Sequence, residues 1–278
     1  MTPPADDNPS CQEGIARADW QAPLLVTGCA RSGTTALARL LSTHDQICIF
    51  NEYSVYWPPV LEESVWHRIH EMRDDNPPPK KIAADMSSLR SRFTADVPVP
   101  VCDRTIRDWI FGLAKSPVRV YGDKMPFSYL DNMEKIVERF PDVRFLLTLR
   151  DGRAVVASQI RQYRLAVKGG VQPNRWMCAT VAEAEFLWLR SVKKWLSLRA
   201  NPPAPCLEVR YEQATQSPAE LAKSICDFVG MEYREEEFTT FLTSYQPIHT
   251  NAWRDELPDV DAQLSNEFRD ALDQLGYR

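Results

Sequence analysis

Between Gly28 and Thr35 the chain reads G-C-A-R-S-G-T-T, which has the make-up of an anion cradle. Glycines let backbone N–H groups close around a phosphate, and a helix starting there adds its positive N-terminal end. A nucleoside-triphosphate loop would read G-x-x-x-x-G-K-[ST]. Here Thr34 takes the lysine position, and the nearby cation is Arg31, inside the loop. A cradle without that lysine points to a phosphate ligand other than ATP or GTP. Further polar residues follow later apolar runs: Asn51-Glu52, Gly122-Asp123-Lys124, Arg150-Asp151-Gly152-Arg153 with Ser158 beyond, and Arg210-Tyr211-Glu212. Gathered in one crevice they offer several cations, hydroxyls and at least one carboxylate. That set suits a doubly anionic nucleotide and the transfer of an anionic group, where positioning and charge stabilisation do most of the work.

The elements needed to gather them are legible in the apolar pattern. Leu24–Cys29, Ile47–Phe50, Val118–Tyr121, Val143–Leu149 and Cys206–Arg210 read as strands, with VRFLLTL the most strand-like. Helical patterns cover Thr34–Thr43, Pro126–Phe140, a segment from a cap at Asp151 to about Tyr163, Met177–Arg199, a Ser217-Pro218-Ala219-Glu220 capping box closed by Gly230, and Asp261–Leu275. Strands alternating with helices indicate an α/β fold: a P-loop-type, mostly parallel sheet flanked by helices. Ligands of such sheets sit at the carboxyl ends of the strands. Residues 56–115 read as a helical insertion broken by Pro77-Pro78-Pro79 and Pro98-x-Pro100. Residues 1–20 read as a flexible tail, and 21–278 as one domain. Phe186, Trp188 and Trp195 fall at helical spacing and are expected in the core.

Composition narrows the class. The 278 residues are 44% hydrophobic, enough for a sizeable core, and carry a formal net charge of −5. That balance argues against non-specific nucleic-acid binding. Seven scattered cysteines without C-x-x-C spacing read as reduced thiols of a cytoplasmic protein. No ligand cluster suggests a metal; His67 and His70 at i,i+3 read as solvated surface. No apolar run reaches membrane-spanning length, so no membrane association is expected.

ARSGTT followed by FLLTLRDGRAVVAS resembles the paired signature of sulfotransferases that use 3′-phosphoadenosine 5′-phosphosulfate. Within that family the chain is most similar to the tyrosylprotein sulfotransferases. The likeness rests on the arginine-containing loop, a glutamate 21 residues beyond that arginine (Arg31 to Glu52), Lys124-Met125-Pro126-Phe127, Tyr211-Glu212-Gln213 and the ending Leu275-Gly276-Tyr277. It departs at Gln162, where the family has a basic residue that here falls at Arg161. A late-loop serine that assists at the sulfuryl group has only Ser244 and Thr250 as candidates. Without the membrane anchor of the Golgi members, the chain resembles a bacterial cytoplasmic form.

The resemblance implies that Arg31, Ser32, Gly33, Thr34 and Thr35 hold the 5′-phosphosulfate, that Arg150 and Ser158 hold the 3′-phosphate, and that Tyr211 abuts the adenine. It implies no metal. Arg31 and Lys124 are expected to stabilise the sulfuryl and bridging oxygens, and Glu52 to act as general base. Blander roles compete: Glu52 paired with Arg31, Arg150 paired with Asp151 or Glu52, and the threonines as helix caps. The expected partner is a hydroxyl acceptor, a peptide tyrosine by the subfamily likeness; a small-molecule, sugar or lipid hydroxyl stays open. The basic stretch Arg161, Arg164, Lys168, Arg175 is a candidate acceptor rim. A homodimer is one state the resemblance allows. Rival readings are a P-loop kinase or NTPase, and a nucleotide-binding regulator without turnover.

Overall fold

A computed structural model describes residues 23–44, 46–52, 119–244 and 253–277. The expected tail, the expected insertion at 56–115, the His67/His70 pair and Thr250 lie outside the described residues, and of Ser244 only the backbone is described.

Five strands form one parallel sheet: β1 (Leu24–Gly28), β2 (Ile47–Asn51), β3 (Val120–Lys124), β4 (Arg144–Leu149) and β5 (Cys206–Arg210), in the order β2-β3-β1-β4-β5. Strand alternation sorts the core onto two faces. Leu25, Phe145, Leu147 and Leu149 pack with α4 (Gly152–Lys168), α5 (Val181–Leu198) and α11 (Asn266–Gln274). Leu24, Val26, Leu146 and Val209 pack with α1 (Thr34–Leu41) and α7 (Pro218–Val229). The chain leaves β1 toward β2 and β3, then crosses to β4 on the other side. Order therefore reverses at β1, and the crevice falls at its carboxyl end.

Several boundaries differ from the sequence reading. β3 starts later than Val118 and runs through Gly122, Asp123 and Lys124. These residues read as a strand-end turn, but Gly122 and Lys124 pair with Leu24 and Val26. The Asp123 carboxylate is wholly buried and accepts the Tyr129 hydroxyl at 2.5 Å, which lets a polar residue continue the strand. The helix expected over Pro126–Phe140 breaks at Asn132 into α2 (Ser128–Asp131) and α3 (Met133–Arg139). The last helix divides into α10 (Val260–Gln263) and α11, whose N-cap is the Ser265 hydroxyl. Asp151 caps α4 as expected, but α4 continues to Lys168, so Arg161, Arg164 and Lys168 are helical. Ser217 makes no side-chain cap bond at α7. Trp188 and Trp195 are buried, whereas Phe186 is 66% exposed, because a helix packed on one side presents only a stripe of its aromatics to the core.

Four described thiols are free: Cys29, Cys178, Cys206 and Cys226. Burial pushes Cys29 and Cys206 up to about 12, and Cys178 and Cys226 up to about 11, from an ordinary 9.0. The folded state thus holds these protons more tightly than the unfolded one. That stabilisation is whole below about pH 9 and is lost as pH rises through the folded values. The urea midpoint is therefore expected to fall steadily from about pH 9 to about pH 11. A midpoint constant over that range would show that the thiols do not set alkaline stability.

Candidate active site

The loop after β1 turns tightly, with Ser32 N–H donating to the Cys29 carbonyl at 3.1 Å. Gly33 ends it with φ 96°, in the left-handed region. A Cβ there would stand 2.3 Å from Cδ2 of Tyr211, which is buried as the first residue of α6 (Tyr211–Gln216). No side chain caps α1, so the N–H groups of its first turn, from Thr34 and Thr35 onward, are left for an anion in the loop. Thr34 is buried at that position and Thr35 half-buried.

Arg31 has φ 77° and donates from Nε to the Ser158 hydroxyl at 3.0 Å. Its guanidinium lies over the Trp176 ring, 5.5 Å from the centroid. Arg150, just past β4, donates from Nη1 to the Arg31 carbonyl at 3.0 Å and stacks on Tyr211 at 4.3 Å. Burial, then the charges of Arg150 and Arg161, lower the Arg31 pKa from its ordinary value. Neither Arg31 nor Arg150 has a carboxylate partner among the described residues, so the anticipated pairs with Glu52 and Asp151 do not form there. Asp151 is instead bound in a bidentate manner by Arg153, at 3.0 and 2.7 Å.

Glu52 and Lys124 form a second group at the ends of β2 and β3. Lys124 Nζ donates to Glu52 Oε1, with the lysine side chain 1% exposed and the glutamate 46% exposed. Oε2 of Glu52 has no partner among the described residues. Glu52 also sits in the left-handed region at φ 64°, its N–H donating to the Lys124 carbonyl at 2.8 Å. The segment after Lys124 continues alongside β1: Met125 and Phe127 donate to the Val26 and Gly28 carbonyls at 3.0 and 2.9 Å. The non-glycine residues at positive φ among the described residues are Arg31, Glu52 and Phe127, all on this crevice. Backbone strain of this kind costs about 1–3 kcal/mol per residue and persists where surrounding structure over-determines it, commonly at functional sites.

Residues 23–235 match the family described as Sulfotransferase family. The chain belongs to the sulfotransferase family. A Protein-tyrosine sulfotransferase 1 of Danio rerio is 23% identical over 217 residues, covering 76% of this chain and 54% of that protein. The chain spans about half the length, or less, of the curated relatives it matches. The sulfotransferase domain of the Synechococcus PCC 7002 olefin synthase superposes with a TM-score of 0.58 at 20% identity, covering 93% of this chain and 96% of that one. The sulfotransferase domain of the curacin biosynthetic pathway gives 0.56 at 17% identity, covering 93% and 98%. At such identities these likenesses establish the α/β sulfotransferase fold.

Within this crevice one supporting residue, Gln159, escaped the sequence reading, and residues named there take bracing roles. Gln159 is fully buried and donates to the Ala30 carbonyl at 3.2 Å, tying α4 to the loop. Its signal was available: Ser158-Gln159 is a polar pair inside an apolar helix stretch. Glu212 accepts the Asp151 N–H and the Tyr277 hydroxyl, both at 3.1 Å, while Arg210 donates to the Leu275 carbonyl at 2.5 Å. The C-terminal Leu275-Gly276-Tyr277 thus braces the turn that carries Arg150. Burial and the Glu212 charge raise the Tyr277 phenol, keeping it a donor. Among the described residues no helix is long and apolar enough to cross a membrane.

Proposed function

We propose that this chain transfers a sulfuryl group from 3′-phosphoadenosine 5′-phosphosulfate to an acceptor hydroxyl, a peptide tyrosine foremost. The observation that carries the reading is the arginine pair. Arg31 donates to the Ser158 hydroxyl and Arg150 to the Arg31 carbonyl, neither with a carboxylate partner among the described residues, while the lysine of the crevice is matched to Glu52. Unneutralised guanidinium groups beside a hydroxyl and an uncapped helix start make a donor set for a ligand with two anionic groups. The residues therefore fit the donor: Arg150 and Ser158 for its 3′-phosphate, the loop and the first turn of α1 for its 5′ end, and the Tyr211 region for its base.

When bound, such a donor supplies the sulfuryl group. Glu52 Oε2 takes the proton of the acceptor hydroxyl. As Glu52 is neutralised its attraction for Lys124 falls, and the buried ammonium can turn its charge to the developing anion. Gln159, Glu212 and Tyr277 keep the loop and the Arg150 turn in place. A tyrosine acceptor is supported by the names of distant relatives. Two structural neighbours are the sulfotransferase domains of an olefin synthase and of the curacin biosynthetic pathway, so an acceptor screen should start with tyrosine peptides and include small hydroxyl compounds.

Calorimetric titration with adenosine 3′,5′-bisphosphate, beside ADP and ATP with and without magnesium, tests the donor. Magnesium-independent binding of the bisphosphate, tighter than of either other nucleotide, is expected. Preference for ATP with magnesium would make the chain a kinase or NTPase instead.

A further inference from the structure

Lys124 Nζ has one acceptor among the described residues, Glu52, and that acceptor is the group that takes the proton. We propose that Asn51 is a positioning residue that receives the Lys124 ammonium when Glu52 is neutralised. The inference rests on the reading of Glu52 as general base above.

Three observations carry it. First, Asn51 Oδ1 is buried and has no hydrogen-bond partner. Buried polar atoms are nearly always satisfied, and an orphan calls for an explanation such as a catalytic role. Among the described side chains with such an orphan, Asn51 is the one that stands beside the Glu52–Lys124 pair. Second, Asn51 and Lys124 are in register on the adjoining strands β2 and β3. Neighbouring strands lie about 4.8 Å apart, and alternation puts partners in register on one face of the sheet. Ile47 and Ile49 share that face and pack against Leu37, Leu40 and Leu41 of α1, whose first turn lies at the anion loop. The flexible four-carbon stem of a lysine can bring its ammonium to the oxygen of a short neighbour. Third, the Lys124 side chain is 1% exposed. When Glu52 takes a proton, the ammonium loses its counter-charge where water cannot replace it, and a buried charge without a partner is strongly destabilising. The Asn51 oxygen supplies a neutral acceptor for one N–H, and two N–H groups stay free for the developing anion.

A double-mutant cycle on turnover tests the proposal. Single-turnover rates with a phenolic acceptor are measured for wild type, Asn51→Leu, Glu52→Gln and the double variant. Asn51→Leu is expected to lower the wild-type rate by about 10- to 150-fold, the worth of a hydrogen bond to a charged group. In the Glu52→Gln background no proton is taken and the amide oxygen keeps Lys124 bonded. There the same change should alter the residual rate by less than about 2-fold. Affinity for adenosine 3′,5′-bisphosphate should stay within about 2-fold of wild type, and the urea midpoint should not fall, because leucine removes an unpaired oxygen and no bond. An equal loss in both backgrounds would separate Asn51 from the proton transfer and overturn the proposal. An unchanged rate in Asn51→Leu would do the same, as would a rate loss matched by weaker bisphosphate binding and a lower midpoint. If the leucine variant does not fold, Asn51→Ala carries the same comparison. Full turnover in Glu52→Gln would overturn the base reading, and the role of Asn51 with it. A slow Glu52→Gln beside an unaffected Asn51→Leu would overturn the role of Asn51 alone.

Discussion

Glu52→Gln is expected to lower turnover by about 10²- to 10⁴-fold, the usual worth of a positioned general base, with bisphosphate affinity within about 2-fold of wild type. Glutamine keeps the size and the carbonyl oxygen that Lys124 Nζ donates to, so the buried lysine retains an acceptor. What is lost is the ability to take a proton at the half-exposed end of the side chain. Single-turnover rates with a phenolic acceptor, beside calorimetry with the bisphosphate, separate the two effects. Turnover retained by the variant would remove Glu52 from the chemistry. Loss of nucleotide binding together with the fold would make its role structural, holding Lys124 in place.

Gly122→Ala is expected to have the largest effect on stability. In β3 Gly122 pairs with Leu24 of β1, and a Cβ built on it would stand 1.6 Å from the Leu24 carbonyl oxygen. That atom belongs to the backbone of a central strand and cannot rotate away. The strands must part or β3 must shift, and either disturbs Lys124, two residues on and in register with Val26. A loss of more than about 4 kcal/mol, beyond the ordinary range for point substitutions, is expected from urea unfolding. Unfolding within about 1 kcal/mol of wild type would mean that the two strands accommodate a methyl group readily.

Where interactions are local, the sequence alone was enough. Gly28 and Gly33 framing an arginine, Asp151 at the start of α4, Pro218 and Gly230 bounding α7, and the apolar run of β4 each depend on residues a few positions apart. Those short-range signals settled the alternation of strands and helices, and with it the parallel sheet and the crevice at β1. They also picked out Arg31, Glu52, Lys124 and Arg150 as residues at strand ends, and Ser158 on the helix after β4. The break at Asn132 and the separation of α10 from α11 were missed, because helical periodicity carries across a short interruption that only the packed chain reveals.

Tertiary structure decided which of these residues meet. Arg31 reaches Ser158 across 127 positions, and Lys124 reaches Glu52 across 72. Residue types allowed either carboxylate or hydroxyl partners for each cation. The choice came from which strand ends adjoin β1, and from strained backbone at Arg31 and Glu52 that aims the side chains. The extension of β3 through Asp123 likewise needed a buried partner, Tyr129, whose packing no local pattern announces. Backbone propensity is written in neighbouring residues, whereas charge pairing and burial depend on the distances that the folded sheet sets between remote ones.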